Sequence, residues 1–324
     1  MVVSRFAPAP TGWLHLGHVV NAAFVWGLTR AAGGRVLLRI EDHDRQRCRP
    51  AYESALLDDL EWLGFVPDAP PVAQFRSGPC EGRQRDRDPI YVAALAQLQR
   101  HARVYACDCS RAEIRRVQTA QSPTAVGGDI ELRYRGRCRD RGLTWSDGCG
   151  LRVQLEPVEE RVEDLRHGVV RQTPAQQCGD LLLRDRDGSW TYQYAVTVDD
   201  LAQGVTLVVR GDDLLTSTGR QVQLARLLGR RTPPRFFHHP LLMKSALQKL
   251  SKADQDTSLQ SLRVAGLTPA AVIAEAMRAA LGGVAWRTLT AEQAGTLVAE
   301  AFPDAVAAIA RHAPPPEDLR GFVR

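Results

Sequence analysis

Two histidines stand three residues apart in His15-Leu16-Gly17-His18, just after Pro10-Thr11-Gly12. Imidazoles on one helical turn can donate hydrogen bonds to phosphate oxygens, and a helix N-terminus already favours an anion. Gly17 has no side chain, so a flat base can approach its backbone closely. Far along the chain, Lys244, Lys249 and Lys252 are the only lysines among 42 basic residues. A compact ammonium on a flexible stem differs physically from a planar guanidinium. Residues 244–252 are therefore where chemistry asks for lysine, as when an ammonium neutralises a phosphoryl group during in-line displacement. No Gly-x-x-x-x-Gly-Lys-Ser/Thr stretch occurs, so a P-loop has no support. A third cluster is Cys107-Asp108-Cys109. The cysteines are odd in number, seven, and Met1–Arg5 carries no export signal, so reduced thiols or metal ligands are expected rather than a disulfide framework. Each short motif has a plain alternative: capping histidines, a solvated basic loop, structural thiols.

These groups need elements to hold them. Val2–Phe6 reads as a strand leaving into a Pro/Gly loop. A mostly apolar helix follows over about 16–32 and stops at Gly33-Gly34. Val36–Ile40 is a buried-type strand ending at Glu41-Asp42. Strand, loop, helix and strand make a βαβ unit and predict a parallel sheet. Pro50 opens a helix whose apolar face holds Tyr52, Ala55, Leu56, Leu60 and Leu63, closed by Gly64. Residues 67–89 read as a long surface connection, and Ile90–Arg100 as helical. Residues 107–150 hold four cysteines and many arginines, as a small metal-stabilised insert would. Gly204–Arg210 is a strand, Ser217 caps a helix that runs to Leu228, and the chain beyond Lys252 is Ala-rich and helical in pattern.

With 324 residues, 44% of them hydrophobic and 24% charged, the chain can bury a core and is not disordered as a whole. No apolar run reaches the ~18 residues of a membrane helix, so no membrane partner is expected. The net charge of +5 is compatible with an anionic partner.

The histidine turn and the lysine stretch, in this order around a split α/β domain, resemble the HIGH and KMSKS signatures of the class I aminoacyl-tRNA synthetases. Further stretches are similar to the glutamyl branch of that family: Arg5 to Gly12, Arg39-Ile40-Glu41-Asp42, Tyr192-Gln193-Tyr194-Ala195-Val196 with Val198-Asp199-Asp200, Val209 to Leu215, and His239-Pro240-Leu241. The matches run collinearly from residue 2 to about 254. The chain beyond Lys252 is too short for a stem-contact region plus a helical anticodon-binding domain, and Val196 replaces the asparagine usual in full-length enzymes. Both features resemble the short group within this branch, whose members place glutamate on the queuosine of tRNA(Asp).

The resemblance implies an α/β, Rossmann-type catalytic domain with a small zinc-bearing insert, a helical C-terminal stem-contact region and no anticodon-binding domain. The expected segments are 1–106 and 181–245 for the two catalytic halves, 107–180 for the insert, and 246–324 for the lysine loop and helical end. It implies glutamate, ATP with Mg²⁺, and queuosine-bearing tRNA(Asp) as substrates, and a monomeric, cytoplasmic ligase. Arg5 and Arg210 would hold the glutamate side-chain carboxylate, Glu41 its ammonium, and Tyr192 would offer a hydroxyl, beside Ala7 and Ala9. His15, Gly17, His18, Lys249, Ser251 and Lys252 would bind ATP, with His15, His18 and Lys252 catalytic. Cys107, Cys109, Tyr134 and Cys138 resemble the family's zinc ligands, with Cys149 or His101 as other fourth donors. Ala9 stands where serine is common, Leu247 where glycine is, and Gly219 where proline is. The rival readings are a truncated glutamyl-tRNA synthetase that charges the acceptor end, a small-molecule ligase on the same fold, and an arginine-rich zinc module that binds nucleic acid.

Overall fold

A computed structural model describes residues 1–121, 132–245, 248–249, 258–282 and 287–311. Strand β1 (Val3–Phe6) lies parallel to β2 (Arg35–Leu38), with Val3 opposite Arg35 and Phe6 opposite Leu38. The crossover between them is helix α1 (Leu16–Ala31), so the first unit is the expected βαβ. Helix α2 (Pro50–Leu63) starts with proline in its first turn, where no amide hydrogen is needed, and ends at Gly64 in the left-handed region.

The expected surface connection at 67–89 is a different structure. It holds α3 (Val72–Arg76) and a 3₁₀ turn at Gln84–Asp86, and it buries Arg83, Gln84 and Arg87. Composition misleads there because these polar side chains are inside but paired: Arg83 with Glu53, and Arg87 and Gln84 with Asp199. Helix α4 (Asp88–His101) follows.

Strands β3 (Val104–Cys107), β4 (Gly150–Val153) and β7 (Leu181–Arg184) form an antiparallel sheet in the order β3-β4-β7. Helix α5 (Arg111–Gln121), Cys109, Cys138 and Cys149 lie in the excursion between β3 and β4, and Cys107 ends β3. This sheet crosses both expected insert boundaries, since β3 begins before 107 and β7 lies beyond 180. Strands β5 (Glu160–Asp164) and β6 (Gly168–Gln172) instead join β8 (Leu207–Gly211) and β9 (Arg235–His239) in the order β6-β5-β9-β8. β8 and β9 are parallel, with Arg210 opposite His238. β1 sits against β8, where the Thr206 amide donates to the Val3 carbonyl at 2.9 Å.

Helix α6 (Pro174–Gln177) precedes β7, and α7 (Tyr192–Ala202) packs on α8 (Thr218–Leu227). Ser217 occupies the cap position of α8, but its side chain makes no capping bond. A 3₁₀ segment, Asp212–Ser217, leads into the helix, and the Ser217 hydroxyl accepts from Gln193 Nε2 at 3.1 Å.

After a short hairpin of β10 (Met243–Ser245) and β11 (Gln248–Lys249), the chain returns as α9 (Leu259–Val264), α10 (Pro269–Leu281), α11 (Ala291–Ala301) and α12 (Pro303–Arg311). The last three do not stand apart. Val272, Met277, Ala294, Val298 and Ile309 share one core with Val19, Phe24 and Leu28 of α1. Small residues permit the close approach: a Cβ at Gly27 would meet the Gly295 carbonyl oxygen at 2.5 Å. Among the described residues no helix is long and apolar enough to cross a membrane.

Candidate active site

The parallel strands end on one side, where ligand crevices form in open α/β sheets. There a cavity of about 690 Å³ is lined by Arg5, Ala7 and Ala9 after β1, His15, Gly17 and His18 at the head of α1, Glu41 after β2, Tyr192 at the head of α7, and Arg210 on β8. Nine residues singled out from the sequence thus share one space. Lys249 is described only as backbone in β11, while Leu247, Ser251 and Lys252 lie outside the described residues. The flanks of that stretch are placed, however. Leu242 lines the cavity, and Ser258 bridges to His15 while the Leu259 amide donates to the Leu14 carbonyl at 2.7 Å.

The histidine turn caps its own helix. His15 Nδ1 accepts from the Gly17 amide, and His18 Nδ1 from the His15 amide, both at 3.1 Å. Each neutral ring therefore carries its proton on Nε2, the form that donates to a phosphate oxygen. A Cβ on Gly17 would come within 2.8 Å of the His15 ring, so a side chain there would displace that histidine.

The side of the cavity around Arg5, Glu41 and Arg210 is dominated by buried charge. Arg5 Nε donates to Asp200 Oδ1 at 2.9 Å, and Arg39 Nη2 donates to the same oxygen at 2.8 Å. Burial would raise the Asp200 carboxyl, but Arg5 and Arg39 outweigh it and hold it down at about 2. Arg39 also lies 3.5 Å from Glu41 and 3.9 Å from Asp199. Asp199 in turn accepts from Arg87, Gln84 and Tyr91. Burial lifts the Glu41 carboxyl, against the pull of Arg39 and Arg5. It also pushes the Tyr192 phenol up to about 12, with Glu41 adding to the rise. The phenol thus stays a neutral donor at ordinary pH.

Arg210 is held by β8 and α8. Its Nε donates to His238 Nε2 at 3.0 Å, Nη1 to Gln221 Oε1 at 2.6 Å, and Nη2 to Thr218 Oγ1 at 2.9 Å. Burial lowers its pKa, and the positive charge of Arg5 adds to that. Two guanidinium groups, a carboxylate and a phenol around one pocket can grip a small dicarboxylic amino acid by both ends.

Sequence reasoning missed the second layer. Asp199, Asp200 and Arg39 were visible in the motifs but given no role, and Asp164, His238 and Gln221 were not visible at all. One signal was available: a run of paired acids inside an apolar helix, Val198-Asp199-Asp200-Leu201, needs buried cations opposite.

In the excursion, the Sγ atoms of Cys107, Cys109 and Cys138 all lie within 4.8 Å of one another. The Tyr134 oxygen is 3.4 Å from Cys107 Sγ and 3.8 Å from Cys109 Sγ, so the four expected donors converge. Among the described residues Cys149 and His101 join no such group. Arg152 Nε is 3.3 Å from Cys107 Sγ and Arg141 Nη1 is 3.4 Å from Cys138 Sγ, cations that offset the charge of a thiolate set. These donors suit a soft divalent ion in tetrahedral coordination.

Comparison with known proteins gives a consistent picture. The family described as tRNA synthetases class I (E and Q), catalytic domain, matches residues 1–296. The Glutamyl-Q tRNA(Asp) synthetase of Rhodobacter capsulatus is 39% identical over 281 residues, covering 83% of this chain and 97% of that protein. The Glutamyl-Q tRNA(Asp) synthetase of Symbiobacterium thermophilum is 41% identical over 281 residues, covering 84% of each. The crystal structure of glutamate-tRNA synthetase from Elizabethkingia anophelis superimposes with a TM-score of 0.72 at 28% identity. It covers 91% of this chain, which spans only 65% of that longer one.

Proposed function

Since the chain belongs to the class I tRNA synthetases of the E and Q group, we propose that it activates glutamate with ATP and transfers it to the queuosine of tRNA(Asp). The relatives matched over most of their length carry that activity in their name. The observation that carries the reading is the meeting of Arg5, Glu41, Tyr192 and Arg210 in one cavity with the His15–His18 turn.

In the first step an oxygen of the glutamate α-carboxylate attacks the α-phosphorus of ATP. A new P–O bond forms, the bond to the bridging oxygen breaks, and pyrophosphate leaves. In the second, a hydroxyl of the queuosine cyclopentenediol attacks the acyl carbon and AMP leaves. No enzyme nucleophile is needed, so catalysis is positioning and charge stabilisation. Arg5 and Arg210 take the side-chain carboxylate, Glu41 the ammonium, and the Tyr192 hydroxyl donates to a carboxylate oxygen. Ala7 and Ala9 form part of the wall. His15, Gly17 and His18 contact the ATP phosphates and base, and Lys249, Ser251 and Lys252 act on the α- and β-phosphates. Mg²⁺ accompanies ATP. Zinc, held by Cys107, Cys109, Cys138 and Tyr134, fixes the excursion between β3 and β4.

The test has two stages. Glutamate-dependent ATP–pyrophosphate exchange without tRNA is expected. Labelled glutamate is then offered with queuosine-bearing tRNA(Asp) or tRNA(Glu). Label on queuosine is expected, whereas label on the ribose at the 3′ end would overturn the reading in favour of acceptor-end charging.

A further inference from the structure

Arg210 is buried, yet among the described residues every hydrogen-bond partner it has is electrically neutral: the His238 imidazole, the Gln221 amide, the Thr218 hydroxyl and, at 3.3 Å, the Leu214 carbonyl. Among the described residues no carboxylate pairs with it. The neighbouring buried arginines are treated differently. Arg5 and Arg39 share Asp200, Arg83 has Glu53 and Arg87 has Asp199.

His238 shows how the neutrality is kept. Its Nδ1–H donates to Asp164 Oδ2 at 2.7 Å, so Nε2 presents a lone pair to Arg210. The Asp164 carboxylate also accepts from the amides of Arg166, His167 and His238. A negative charge thus stands one imidazole away from Arg210 and not against it. Gln221 is fixed as well, its amide nitrogen donating to Gln193 Oε1 at 2.7 Å. That contact turns the Gln221 oxygen toward the guanidinium.

A buried cation with no counter-charge is costly, and an anion that reaches it relieves the cost. A neutral amide does not. A built-in carboxylate would relieve it beforehand and repel a second one. The geometry points to Gln221, Thr218 and the Asp164–His238 pair as positioning residues that set specificity: they orient Arg210 through neutral acceptors alone, so the carboxylate that contacts it directly is the side-chain carboxylate of the substrate. This rests on the reading that the cavity activates glutamate.

The test uses the full chain in ATP–pyrophosphate exchange. Gln221→Glu keeps the shape and adds a charge, while Gln221→Leu keeps the approximate size and removes the acceptor. Gln221→Glu is expected to raise the glutamate KM about 100-fold and to reduce discrimination against glutamine by a similar factor, with the ATP KM changed less than about threefold. Gln221→Leu is expected to raise the glutamate KM about tenfold and to keep most of the discrimination. Equal losses in the two variants, or unchanged discrimination in Gln221→Glu, would make the role one of packing and overturn the inference. If Gln221→Glu does not fold, wild-type inhibition decides. A γ-sulfonate analogue should compete within about tenfold of glutamate and glutamine at least about 100-fold more weakly, while equal inhibition by the two would overturn it. Failure of the underlying reading looks different, because wild type would then show no glutamate-dependent exchange at all.

Discussion

His15 and Ser258 form an antiparallel bridge, which ties the head of α1 to the far flank of the lysine-bearing stretch. The near flank reaches the same cavity at Leu242. Lys252, outside the described residues, lies between these two flanks in the sequence. Lys252→Ala should lower kcat for pyrophosphate exchange by about 100- to 1,000-fold, the usual loss for a transition-state charge donor, with little change in the glutamate KM. Steady-state exchange kinetics check this. A loss confined to the glutamate KM would place the ammonium elsewhere.

Asp200 joins two buried arginines, and its carboxyl is held at about 2, below the roughly 3.9 of an unfolded aspartate. The sign follows from the depressed value. The stabilisation is complete above about pH 4 and is lost as pH falls toward 2, amounting to about 2–3 kcal/mol for this group. Asp200→Asn should cost about 3–5 kcal/mol at pH 7, because Arg5 and Arg39 lose their shared partner. Urea unfolding at pH 7 and pH 3 should show the gap between wild type and variant narrowing in acid.

Asp59 behaves in the opposite sense. Burial raises its carboxyl to about 6, partly opposed by Arg263 at 3.0 Å, and its Oδ2 has no hydrogen-bond partner. A raised carboxyl favours folding while protonated, so stability from this site falls as pH rises from about 4 to 6. Asp59→Asn removes that loss. The variant should exceed wild type by about 1–3 kcal/mol at pH 8, with the advantage gone at pH 4. Thermal melts at the two pH values decide it.

The four donors at 107, 109, 134 and 138 should hold about one zinc per chain, as structural sites of this kind do. Cys138→Ser should drop the metal content several-fold in elemental analysis. Chelation should expose the 107–150 excursion to protease before the rest of the chain. A chain that binds no zinc at neutral pH but keeps the excursion protected would refute the structural role.

Much of this arrangement was legible in the amino-acid order. The βαβ unit showed because apolar runs, Gly33-Gly34 and Pro50 punctuate it with local chemistry that tertiary contacts do not override. The cavity residues showed because the stretches that carry them resemble, in order, the motifs of a known family; taken singly each would read as a surface charge or a cap. The supporting charges did not. Gln84 and Arg87 look like solvated polar residues until Asp199 is placed against them. Nothing in the order of residues reveals that pairing across the fold. The C-terminal helices were read by pattern alone, and their contact with α1 depends on Gly27 and Gly295 meeting, a long-range match that no local period signals.

That meeting also bears on synthesis. The first helix of the chain completes its lining only with residues from 269 onward, and the first strand leans on Thr206. A nascent chain leaving the ribosome therefore cannot complete its amino-terminal half as it emerges. The histidine turn should acquire its native surroundings only after Ser258 has emerged, which leaves apolar surface of the first helix exposed until then.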